Sequence, residues 1–337
     1  MQNKINLGIV GKNFGYKVIY KSFLKNKKFK VIGFAFKKKN TKLTKKIKIY
    51  SSWKKMILDR KIDAIVVAVP PKLHKNIVGY AIKNKKHVFC EKPFTTSYKE
   101  ASFLCNQVKK TKKIAFMVNY EITKIDAFSF LKQNIINNIK INKVYLNWFI
   151  NIEKKSRLSW KESHSQGGGM LFNYVCHAIY YLEFIFGKIK GIKSLMFSDT
   201  KDKLKILKLN VFFNSGLVAK LKIKVGKIKY EKPTHELKIL SNRKTYILKT
   251  NLNSLSDKFS LVSINNSRKK ERKILINNKK NKSDFRLLPT YENTKIFYNW
   301  ISKNQIQKPN FFDACRIHLI IDKIILSSKT NKKIYID

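Results

Sequence analysis

The stretch from Ile62 to Pro93, IDAIVVAVPPKLHKNIVGYAIKNKKHVFCEKP, restricts the fold of this 337-residue chain more than any other. Its first part, Ile62 to Val69, is a short β-branched run closed by Pro70-Pro71, the pattern of a strand buried on both faces of a parallel sheet. Ile77, Val78, Ala81 and Ile82 then recur at helical spacing with lysines on the other face, and His87 to Cys90 reads as a second buried strand. Strand, helix and strand in that order form a parallel crossover unit, with Glu91-Lys92-Pro93 where the second strand ends. In doubly wound sheets, ligands bind at that carboxyl edge.

The flanking sequence extends the same pattern. Ile5 to Val10 is a β-type run, followed by Gly11-Lys12-Asn13-Phe14-Gly15 and a helix carrying Val18, Ile19, Phe23 and Leu24. A glycine turn between first strand and first helix brings backbone N–H groups against a pyrophosphate. The match to GxGxxG is imperfect, with Asn13 at the second glycine position and Gly15 one residue early. Asn is the best non-glycine residue at positive φ, so the turn stays feasible with Asn13 in that place. Strands over Lys30–Phe36, Ile47–Tyr50 and Ile114–Val118, with helices over Trp53–Leu58 and Thr95–Lys110, complete an α/β domain over residues 1–121.

From residue 122 the pattern changes. A helix over 122–136 precedes stretches with apolar residues at every second place and lysines between: 143–152, 189–197, 204–213, 217–225, 235–241, 244–249 and 259–264. Residues 122–337 are therefore an α+β domain on a large open, mainly antiparallel sheet, with a C-terminal helix expected to pack back on the first domain.

The formal charge is +53, from 73 Lys and Arg against 20 Asp and Glu. That excess is mostly lysine, accompanied by many Asn and Ile residues, a joint enrichment that AT-rich codons supply. Arginine forks that read base edges are scarce and no nucleic-acid module is present, so nucleic acid is not the expected partner. Anionic small molecules suit such a field. No apolar run reaches membrane-spanning length, and the N-terminus enters a strand-like segment directly, so a cytoplasmic protein without membrane association is expected. Cys90, Cys105, Cys176 and Cys315 lack metal-ligand spacing and read as buried free thiols, with no metal expected.

A second constellation lies in Trp160 to Gly187. Gly167-Gly168-Gly169 precedes a helix, where glycines let the backbone approach a ligand closely. Asn173 and His177 are four apart and would share one helical face. The Pro-Pro-x-x-His and Glu-Lys-Pro features, with this glycine-rich segment, resemble the glucose-fructose oxidoreductase / inositol dehydrogenase (Gfo/Idh/MocA) family over nearly the whole chain. The family's second motif reads GGGxLxDxGxHxxD. Here Asn173 replaces its first Asp, Val175 the following Gly and Tyr180 the later Asp, and Glu121 departs from the family pattern after the sixth strand.

The resemblance implies a Rossmann domain followed by a substrate domain, and an NAD(P)-dependent dehydrogenase or reductase. Hydride would pass between a nicotinamide and a secondary hydroxyl or carbonyl of a sugar, polyol or sugar derivative. It implies Lys92, His177 and Asn173 as the catalytic set, with Lys92 and His177 converging on a nicotinamide between the two domains. Gly11, Asn13, Phe14, Gly15, Lys37, Pro70, Pro71, His74, Glu91 and Lys92 would contact cofactor, and Asn119, Glu121, Trp160, Asn173 and His177 substrate. An imidazole suits a base near neutral pH and an ammonium suits a developing alkoxide. At the end of the second strand, Phe36 is followed by Lys37-Lys38-Lys39, where an NAD site offers a carboxylate, which favours NADP over NAD. A homo-oligomer through the C-terminal sheet is expected. The alternative is a non-catalytic nucleotide-binding protein of the same fold, for which Asn173, Glu121 and the irregular glycine turn speak.

Overall fold

The computed structural model describes residues 4–36, 47–111, 113–152, 160–199, 204–226, 232–251, 259–274 and 284–336. The chain divides into two compact units, each assembled from three segments. The first contains residues 1–124, 159–173 and 286–318, and the second residues 125–158, 174–285 and 319–337.

The first unit is organised on a six-stranded sheet of β1 (Ile5–Val10), β2 (Phe29–Ala35), β3 (Lys48–Tyr50), β4 (Ala64–Val67), β5 (His87–Cys90) and β6 (Phe116–Val118), in the order β3-β2-β1-β4-β5-β6. Every neighbouring pair is parallel. Ala64, Ile65, Val66 and Val67 are fully buried, as a strand covered on both faces requires. Each such Val or Ile contributes roughly 1.5–3 kcal/mol relative to exposure.

Helices α1 (Lys21–Lys25), α2 (Trp53–Leu58), α3 (His74–Lys83) and α4 (Tyr98–Lys109) supply the cover. Ser52 and Ser97 accept from the amides three residues on, capping α2 and α4. Ile77, Val78, Ala81 and Ile82 form the buried stripe of α3, as their spacing predicts. The chain returns late in sequence to add a further helix to this unit, over Leu287–Lys303. Ser22 Oγ donates to the Leu287 carbonyl (3.0 Å), Asn26 Nδ2 donates to Thr294 Oγ1 (3.1 Å), and Phe29 stacks on Phe297 with ring centroids 6.0 Å apart.

In the second unit a helix predicted over 122–136 is broken into short pieces, of which α5 covers Asp126–Phe130. The sheet has nine strands: β7 (Ile141–Asn151), β8 (Ile189–Asp199), β9 (Leu204–Phe213), β10 (Val218–Gly226), β11 (Thr234–Ser241), β12 (Lys244–Asn251), β13 (Ser260–Asn265), β14 (Glu271–Ile274) and β15 (Ile334–Tyr335). Their order is β14-β13-β12-β11-β7-β10-β9-β8-β15, with β7 and β10 parallel and the other pairs antiparallel. In β10 Ala219, Leu221, Ile223 and Val225 point inward while Lys220 and Lys222 point out. Helix α6 (Cys176–Phe186) lies on the inner face, with Phe186 against Phe213 at 5.7 Å between centroids. Lys132 Nζ donates to the Ile185 carbonyl at the end of α6 (3.0 Å), where a cation complements the helix dipole. The last two helices are α7 (Leu287–Lys303), already placed, and α8 (Phe311–Thr330). Among the described residues no helix is long and apolar enough to cross a membrane.

Candidate active site

The carboxyl edge of the parallel sheet is shaped by close backbone approach. Gly11 adopts φ +130°, and a Cβ there would lie 2.1 Å from the Ala68 carbonyl oxygen. The turn after β1 is thereby pressed against the end of β4, where the strand order reverses. Asn13 does not need the positive φ of Gly11. It is not among the positive-φ residues, because the helical run already begins at Asn13 and Gly11 alone takes the unusual conformation. The Arg286 guanidinium sits over the Phe14 ring, 4.7 Å from its centroid, and adds a cation beside this turn. Lys37 lies outside the described residues.

Pro70 and Pro71 open a 3-10 turn that leads into α3. His74 is fully buried, with Nε2 2.8 Å from the Val69 oxygen and Nδ1 3.1 Å from the Phe94 oxygen and 3.4 Å from Cys90 Sγ. Burial lowers its pKa, so the ring is neutral and carries one N–H. The two ring nitrogens face the Val69 and Phe94 carbonyls, with Cys90 Sγ beside Nδ1. Both ring nitrogens are thus engaged inside the protein, tying the end of β4 to the segment after Glu-Lys-Pro.

Glu91 and Glu121, at the ends of β5 and β6, are both buried. Glu91 Oε1 accepts from Asn119 Nδ2 (2.7 Å), which also lies 3.3 Å from Thr290 Oγ1, and Asn119 Oδ1 accepts from Asn293 Nδ2 (2.9 Å). Burial and the nearby Glu121 carboxylate push the Glu91 pKa up to about 8, against the opposing pull of Asn119, Lys92 and Arg286. One carboxyl of the pair therefore holds a proton around neutral pH. Asn119, expected at the substrate, is fully buried and serves as the link in this network. Sequence reasoning missed Arg286, Thr290 and Asn293, because they come from a helix some 170 residues after β6. Arg286 carried a faint signal as one of seven arginines among many lysines.

Lys92 is half-buried, and its Nζ donates to the backbone carbonyl of Asn173 at 3.2 Å. The two sequence motifs therefore meet within the first unit. Asn173 Nδ2 donates in turn to the Lys161 carbonyl (2.5 Å). Two glycines of the triplet serve packing within the protein. A Cβ on Gly168 would lie 2.2 Å from the Trp160 oxygen and one on Gly167 2.6 Å from the Pro71 side chain, so these two let other parts of the protein come close, while Gly169, at φ +79°, has open space where its Cβ would be. Residues Leu171–Val175 form a π-helical turn and not the regular α-helix expected; such turns recur at functional sites. His177 belongs to α6 of the second unit and is buried. No group of three or more metal-ligating side chains occurs among the described residues.

The chain matches the family model described as "Oxidoreductase family, NAD-binding Rossmann fold" over residues 5–120, and "Oxidoreductase family, C-terminal alpha/beta domain" over residues 129–336. The protein belongs to the Gfo/Idh/MocA oxidoreductase family. Among Gfo/Idh/MocA relatives, 2,7-anhydro-N-acetylneuraminate hydratase of Escherichia coli (strain K12) is 32% identical over 143 residues, 41% of this chain and 37% of that protein. Levoglucosan dehydrogenase of Pseudarthrobacter phenanthrenivorans is 27% identical over 153 residues, 43% of this chain and 38% of that protein. The chain thus spans under two fifths of the length of these relatives. A structure of levoglucosan dehydrogenase in complex with NADH superposes with a TM-score of 0.82 at 17% identity, covering 99% of this chain and all of the other, a likeness of fold.

Proposed function

We propose that this protein transfers hydride between a nicotinamide cofactor, NADP in preference to NAD, and a secondary hydroxyl or carbonyl of a sugar, polyol or sugar derivative. The observation that carries the reading is the bond from Lys92 Nζ to the Asn173 carbonyl, which joins the family's two motifs at the carboxyl edge of the sheet. The edge suits a dinucleotide: Gly11 keeps the turn close to Ala68, and Arg286 places a cation beside Phe14. Gly11, Phe14, Gly15 and Arg286 would hold the pyrophosphate, and Lys37 and its neighbours a 2'-phosphate. When bound, the nicotinamide supplies the hydride acceptor or donor. Lys92 stabilises negative charge developing on the substrate oxygen, and His177 takes the hydroxyl proton. Glu121, Trp160 and Asn173 are assigned to substrate, and a homo-oligomer through the open sheet, where Leu195 and Phe197 are exposed, completes the proposal.

Fluorescence titration with NADPH and NADH tests the cofactor, with affinity for NADPH expected to be at least about tenfold higher. Turnover is assayed across a panel of sugars, polyols and sugar acids. Lys92→Ala and His177→Ala are each expected to lower kcat on the substrate found by roughly 100-fold or more. Unchanged kcat in either variant removes that residue from the chemistry.

A second reading, a nucleotide-binding protein without turnover, is favoured by one contact: the Asn173 amide is committed to the Lys161 carbonyl. It predicts tight NADPH binding with no turnover on the panel.

A further inference from the structure

Two cysteines outside the candidate site lie together. Cys105 is buried on α4, and its Sγ donates to the Phe311 carbonyl in the first turn of α8 at 3.2 Å. Cys315 is one helical turn after Phe311, and side chains on a helix lean towards its N-terminus, so the Cys315 sulfur leans over the turn that Cys105 reaches. The two thiols are near enough to shift each other's titration. They differ in exposure, since Cys105 is 4% exposed whereas Cys315 is only partly buried.

We propose that Cys315 and Cys105 form a reversible thiol–disulfide pair, with Cys315 the sulfur that meets a peroxide-class oxidant and Cys105 the one that resolves it. The environment sorts the two roles. The neighbouring Cys105 sulfur and the Lys109 cation hold the Cys315 thiol below the ordinary range, whereas the neighbouring Cys315 and burial raise that of Cys105. The Cys315 thiolate attacks one peroxide oxygen; the O–O bond breaks, hydroxide leaves and Cys315 becomes a sulfenic acid. The Cys105 sulfur then attacks the sulfenic sulfur, an S–S bond forms and water departs with the Cys105 proton. Two electrons pass from the two sulfurs to the peroxide, and an external dithiol reverses the step. The bond would staple α4 to the start of α8, where Phe311 packs on Phe94 (4.2 Å between centroids), two residues after Lys92.

The test treats full-length protein with hydrogen peroxide, blocks remaining thiols and measures intact mass with a non-reducing peptide map. A loss of about 2 Da, reversed by dithiothreitol and mapped to a Cys105–Cys315 crosslink, is the expected result. The oxidised form should also melt several degrees above the reduced form, a shift absent from Cys105→Ser. In Cys105→Ser, Cys315 should pass on to sulfinic acid, about 32 Da heavier. A crosslink involving Cys90 or Cys176, no crosslink, or sulfinic acid on Cys315 formed equally fast in wild type and Cys105→Ser overturns the proposal.

Discussion

In the first unit Glu91 and Glu121 lie near each other among the amides of Asn119 and Asn293 and the hydroxyl of Thr290. In the second unit His235 is surrounded by the rings of Trp148, Phe259, Tyr181 and Phe128, at centroid distances of 4.8, 5.2, 5.7 and 6.2 Å, with Tyr181 Oη 3.1 Å from Nε2. Both clusters are buried, yet they handle protons in opposite ways. Burial, reinforced by a neighbouring carboxylate, makes Glu91 keep a proton, whereas burial in an apolar cage makes His235 refuse one, pushing its pKa down to about 3. The first arrangement places a titration near the pH of the cell, while the second removes one from that range.

The two clusters impose opposite slopes on stability. Glu91 titrates above its unfolded value of 4.5, so the stability it carries is complete below that pH and is lost as pH rises through about 8. His235 titrates below its unfolded value of 6.5, so its contribution is complete above pH 6.5 and is lost as pH falls towards about 3.

The largest effect that would break the comparison is expected from His235→Ala, which leaves a hole among the aromatic rings. Urea unfolding at pH 7 should show a loss of about 3 kcal/mol, with NADPH affinity unchanged. A loss in cofactor affinity as large as the loss in stability would make His235 part of the site and not of the core. Asn119→Ala is expected to cost about 2 kcal/mol, since it strips a hydrogen bond from a buried carboxyl, and the cost should grow above pH 8 as Glu91 ionises. Glu121→Gln sharpens the contrast by removing the like charge. It should be more stable than wild type by about 1 kcal/mol at pH 9 and equal to it at pH 5. In carbon NMR of labelled glutamate, the Glu91 midpoint should fall below about 8; an unmoved midpoint would show that burial alone raises it. Tyr181→Phe should lose only about 1 kcal/mol, the value of one hydrogen bond to His235.

Much of this was legible in the chain itself, for identifiable reasons. β1, α2, β5 and β9 fall where apolar runs and their flanking breakers place them, because buried strands and capped helices leave local patterns. The broken helix after Lys124 was not legible, since its apolar spacing is the same for an α-helix and for short helical turns of other pitch. Of the site, Lys92 and Asn173 announce themselves by motif, and the structure links them. The buried network was invisible, because Asn119, Thr290 and Asn293 become partners only through a helix arriving from far along the chain. The packing role of Gly168 was hidden for a related reason. A pattern shows that something must come close, and only coordinates show that it is the Trp160 backbone.

Helix α7 has a consequence for how the protein comes off the ribosome. The six strands of the parallel sheet are all synthesised by Val118, but Phe297, Thr294 and Asn293 emerge only after Leu287. At typical elongation rates the nascent sheet waits on the order of ten to thirty seconds with Phe29 uncovered and Asn119 lacking its amide neighbour. During that interval the early half is a client for holdase chaperones, and slowing translation between the two points should lower the yield of soluble protein.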